Sequence, residues 1–165
     1  MLAYRYTSNP SHSLEVLFKA QEDLYEVGAR NFLFIDVPPI DRSPAGEHYY
    51  CSPRIINCNI ILVLQFVGPG SDRSMPRYQK WNDGLRSSVA TFASSHSEVS
   101  ALYFSSHKTF SRILDEPWQH GFTAHDAEKE AGKGIWADRL HPTSKMHDFV
   151  AKDLTSFLAS VVAKE

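Results

Sequence analysis

Apolar positions along the 165 residues alternate between helical and strand spacing. Leu14, Leu17, Phe18, Leu24 and Tyr25 recur with the 3.6-residue period of a helix, which Ser13 would cap and Gly28 would close. Phe32 to Val37 then read as a short buried strand, stopped by Pro38 and Pro39. Tyr78, Trp81, Leu85, Val89 and Phe92 share one face of a helix over 77–95. A second strand follows at 99–106 ("VSALYFSS"), then a short helix at 108–116 before Pro117. From Met146 onward, Met146, Phe149, Val150, Leu154, Phe157, Leu158 and Val161 mark an amphipathic final helix. Strands separated by helices predict an α/β fold, a parallel sheet with helices on both faces.

Residues 47–67, "EHYYCSPRIINCNIILVLQFV", interrupt this rhythm. The plain reading is one more buried strand. The alternative is an insert foreign to the fold, because helix signals resume cleanly at Tyr78 after the Gly-Pro-Gly-Ser loop at 68–71.

Composition narrows the function classes without choosing one. Hydrophobic residues make up 42% and charged residues 22%, the balance of an ordinary globular domain. The net charge of -2, with acids and bases interleaved, leaves no basic footprint for nucleic acid. No apolar run approaches the ~20 residues that span a bilayer, and the polar start "MLAYRYTSNPSHS" lacks a secretory stretch. Cys51 and Cys58 offer no metal spacing and at most one disulfide.

The chemistry-bearing candidate is "WADRLHPTSKMHDF" (136–149). Asp138 precedes His141 by three residues, so on one turn the carboxylate can reach the imidazole. In hydrolases with an oxygen nucleophile, a histidine takes the proton and a carboxylate fixes its tautomer. Pro142, Thr143 and Ser144 would start the last helix behind this turn. Ser43 in "DRSP" follows a strand end and is a conceivable nucleophile, although a turn cap before Pro44 is the plainer reading. His120, His125 and Asp126 lack the i,i+4 spacing and cysteine partners of a zinc site and read as exposed loop residues; no cofactor or metal is expected. His147 reads as a polar position in the final helix's first turn. Trp118 and Trp136 flank the loop leading to Asp138, where core packing is the default and a cleft the alternative.

Three strings together, "WADRLHPTS", "GARNFLFIDVPPIDRSP" (28–44) and "YQKWNDGL" (78–85), resemble the SGNH (GDSL) hydrolase superfamily, in particular its fungal acetylesterase-like branch. The resemblance covers residues 12–46 and 77–160. It implies a flavodoxin-like α/β/α sandwich, a Ser-His-Asp triad, and hydrolysis of small-molecule or carbohydrate esters, often acetyl or acyl. It implies Asp138 as the group that orients the imidazole and His141 as the general base. The superfamily's Gly-Asp-Ser block is absent: "GSD" at 70–72 has the wrong order, and "KWND" (80–83) carries Lys80 where Gly-x-Asn-Asp needs glycine. The chain thus reads as the C-terminal portion of one such domain. Its nucleophile is unknown, and the serine arm and any signal for the secretion common in the superfamily are expected upstream. The alternative is a non-catalytic truncated remnant that at most binds a partner. Oligomeric state is not legible.

Overall fold

The computed structural model describes residues 10–44, 77–128 and 134–161. The 47–67 run, with both cysteines, lies outside these residues, as does the 70–72 string. Two five-residue strands, β1 (Asn31–Ile35) and β2 (Ser100–Phe104), pair in parallel, with Asn31 opposite Ser100 and Ile35 opposite Phe104. Helix α1 (Pro10–Glu26) precedes β1, and α2 (Arg77–Ser95) precedes β2. A short 3-10 helix, Ile40–Arg42, follows β1. After β2 come α3 (Ser106–Asp115), a 3-10 helix (Pro117–His120), α4 (Ala124–Glu128) and α5 (Ser144–Ala159). The fold is α/β with a parallel strand pair, as the alternating pattern implies.

The boundaries shift for local reasons. Helix α1 begins at Pro10, ahead of Ser13, because a proline lacks the N–H that a first helical turn leaves unpaired. Strand β1 stops at Ile35, two residues early, because the Asn82 side chain takes over at Val37. Val37 N–H donates to Asn82 Oδ1 at 2.9 Å and Asn82 Nδ2 donates to Val37 O at 2.8 Å, a side-chain imitation of a neighbouring strand. Helix α3 starts at Ser106 because Ser105 Oγ accepts from Lys108 N.

One sheet face, made by Phe32, Phe34, Ala101 and Tyr103, is covered by α1 and α2. Phe92 of α2 meets Phe32 and Phe34 edge-on, at 5.0 and 6.4 Å between ring centres, and Phe18 of α1 stacks on Phe34 at 5.3 Å. Gly84 lets the helices close up: a Cβ there would lie 2.6 Å from Leu14 Cδ1. The opposite face departs from the expected burial on both sides. Phe104 is buried against Phe157 of α5, yet Leu33 and Ile35 remain 40% and 45% exposed, and Leu158 on α5 and Val161 just past its end are exposed too. A second core, of Phe110, Ile113, Leu114, Phe122, Ile135, Trp136 and Met146, joins α3 to α5 and the loop between.

The two cores meet at a buried acid, Asp36. Its Oδ2 accepts from Ser105 Oγ (2.5 Å) and Tyr103 Oη (3.1 Å), and its Oδ1 accepts from His107 N (2.8 Å) and Ser106 Oγ (3.0 Å). Ser106 Oγ also donates to the Asp36 carbonyl at 2.6 Å. Burial, and then the Asp36 charge, pushes the Tyr103 phenol up to about 12. Asp36→Ala would strand these donors and is expected to destabilise the fold by about 3 kcal/mol, with Asn82→Ala costing about 1–2 kcal/mol. Urea unfolding of both variants measures this. Losses below the exposed-surface scale of about 0.5 kcal/mol would show that neither residue holds the strand ends.

Candidate active site

The Asp138–His141 segment is the tip of a two-stranded loop. Ala137 N donates to His141 O at 2.8 Å and Thr143 N donates to Ile135 O at 2.9 Å, with an antiparallel bridge between Trp136 and Pro142. The stems are anchored from below. Trp136 is buried beside Phe110, and its Nε1 donates to Ala127 O at 3.0 Å. Thr143 Oγ1 donates to Gly134 O at 2.6 Å while accepting from Met146 N, so one hydroxyl closes the loop and caps α5.

At the tip, Asp138 Oδ1 accepts from Leu140 N (2.8 Å) and His141 N (2.7 Å), while Oδ2 lies 2.7 Å from His141 Nδ1. The three-residue spacing therefore works without a helical turn. The carboxylate binds the two backbone N–H groups itself, which makes a tight side-chain-to-backbone turn. These bonds, the His141 amide first, hold the Asp138 carboxyl down at about 2. A carboxylate ionised across the physiological range can only accept, so Nδ1 carries the shared proton. In a neutral imidazole that leaves Nε2 with its lone pair, and Nε2 has no partner among the described residues. Both side chains are open, Asp138 at 52% and His141 at 74%.

Helix packing sets where the turn stands. Helix α5 runs antiparallel to α3: Phe157 meets Phe104 just before α3, Asp153 bonds Thr109 and Arg112, and Lys145 bonds Gly121 beyond its end. Fourteen helical residues separate Thr143 from Phe157, so the turn stands about 20 Å from that contact with the sheet. The loop after β1 is carried the same way, since Arg42 pairs with Asp115 at the end of α3 at 2.7 Å.

Ser43 does not join the turn as a nucleophile. It is fully buried and its hydroxyl donates to Ile40 O at 2.7 Å, so it closes the 3-10 helix. Asn82, the asparagine of "KWND", is spent on Val37. His120 and His125 lie in short helices instead of a loop, His120 edge-on to Phe149 at 5.5 Å. Asp126 bonds Thr123 N and Oγ1, and among the described residues no three His, Cys, Asp or Glu side chains gather as a metal site. His147 is exposed in the first turn of α5. Trp118 is 64% exposed, whereas Trp136 is core. Asp36 was not among the candidates the sequence offered; its one signal was an acid at a strand end, matched by the Ser-Ser pair at 105–106 that follows the next strand.

Because the folded value of Asp138 lies below its ordinary 3.8, the turn's contribution is complete above about pH 4. It is lost as the pH falls through about 2. Carbon-detected NMR titration is expected to give that midpoint, with the Leu140 and His141 amides moving together with it. A midpoint near 3.8 would mean that the carboxylate is not engaged.

No protein-family model matches the chain. No helix among the described residues is long and apolar enough to cross a membrane. The chain is similar to an acetylesterase from Thermothelomyces thermophilus, with 26% identity over 149 residues. That match takes in 89% of this chain and 44% of the relative, so the chain spans less than half the length of the curated protein it matches, and the likeness is to an esterase.

Proposed function

We propose that this chain carries the Asp–His arm of a Ser-His-Asp ester hydrolase of the SGNH type, acting on acetyl or other short acyl esters. The observation that carries the reading is the 2.7 Å bond from His141 Nδ1 to Asp138 Oδ2, with Nε2 open toward solvent. In that arrangement Nε2 withdraws the proton from an attacking serine, and Asp138 steadies the imidazolium that results. The similarity to an acetylesterase supports an ester as substrate.

The serine and the donors that stabilise the oxyanion come, on this reading, from sequence outside these 165 residues. A triad without its nucleophile loses roughly 10⁶-fold in turnover. The purified chain is therefore expected neither to hydrolyse p-nitrophenyl acetate above a His141→Ala control nor to label with a fluorophosphonate. In a longer reading frame that supplies Gly-Asp-Ser, His141→Ala should lower kcat by about 10⁶-fold and Asp138→Ala by about 10⁴-fold. Full activity of that longer protein after either substitution would sink the proposal. A second reading, a non-catalytic remnant that binds a partner, draws on the buried, internally bonded state of Ser43. It is favoured if no in-frame Gly-Asp-Ser precedes Met1.

A further inference from the structure

At the carboxyl end of β2, helices α2, α3 and α5 leave a groove of about 420 Å³, in the range of small-molecule sites. Three cations line it, Arg86 from α2 and Lys108 and Arg112 from α3. One carboxylate faces them, Asp153 of α5, and it is already engaged: its Oδ2 accepts from Arg112 Nη2 at 2.8 Å and from Thr109 Oγ1 at 2.7 Å. Arg86 stacks on Tyr103, with Cζ 4.7 Å from the ring centre. Neither Arg86 nor Lys108 meets a carboxylate at ion-pair distance among the described residues. The groove thus gathers more positive charge than its own acid offsets. Phe157, half-buried against Phe104, adds aromatic surface beside that charge.

We propose that this groove binds a small organic oxyanion, with a carboxylate or phosphate held by Lys108 and Arg86 and a ring lying against Phe157. Guanidinium groups match the planar, two-oxygen edge of such anions, and the ammonium adds a point charge. Aromatic faces stack on sugar or other rings. The site is distinct from the Asp138–His141 turn. Asp153 lies nine residues, roughly 13 Å, along α5 from its start at Ser144. The proposal does not depend on the esterase reading.

Titration of the isotope-labelled chain with inorganic phosphate, sodium glucuronate and glucose tests this, read from the backbone amides of residues 105–112. Saturable shifts with glucuronate or phosphate, and none with glucose, are expected. Glucuronate binding more tightly than phosphate identifies a carboxylate on a ring, and the reverse order identifies the phosphate group. Lys108→Glu should weaken binding by roughly tenfold or more, since it replaces a charge-assisted contact with repulsion. His141→Ala should leave it unchanged. Lys108 and Arg86 are exposed, so their variants keep the fold, which circular dichroism verifies. The proposal is overturned by an absence of saturable shifts, by glucose binding as well as glucuronate, or by indifference to both Lys108→Glu and Arg86→Ala.

Discussion

The carboxylate of Asp36 is the hinge pin of this structure. It sits at the end of β1, buried, and its two oxygens take donors from β2, from the link after it and from the first turn of α3. A buried acid without such partners is costly, so this one specifies where β2 ends and the angle at which α3 departs. The placement of the Asp138–His141 turn follows from that departure. Helix α3 leads away from the sheet, α5 packs back along it, and the loop joining them lifts Asp138 and His141 clear of the strands.

At the tip, the carboxylate does two jobs with separate oxygens. Oδ1 ties down the backbone of Leu140 and His141, and Oδ2 is left to hold the imidazole. Because the same side chain folds the turn and orients the imidazole, the pair is preorganised even though both residues are open to solvent. An exposed ion pair of two flexible side chains would be worth little. Here the backbone bonds remove most of that flexibility, and they are the first cause of the low Asp138 pKa.

Much of this was legible in the sequence. The helical stripes at 77–95 and after Met146, and the two apolar strand runs, located the elements because periodicity reports which face is buried. The Asp-x-x-His spacing located the pair, although its conformation came from side-chain-to-backbone bonding that spacing does not encode. Side chains acting on distant backbone were illegible. Asn82 cuts β1 short from 45 positions away, and Asp36 draws in Ser106 across 70. The uncovered side of the sheet was also hidden: the runs in β1 and α5 imply burial, while Leu33, Ile35 and Leu158 stand exposed.

The central claim is that Asp138 fixes the tautomer of His141 and leaves Nε2 ready to take a proton. Long-range proton–nitrogen correlation NMR of the neutral imidazole, at mildly alkaline pH, reports which ring nitrogen bears hydrogen. The account requires a protonated Nδ1 and a pyridine-like Nε2, with the preference relaxing in Asp138→Ala. A proton resting on Nε2, or two nitrogens averaging as in a free imidazole, would contradict it.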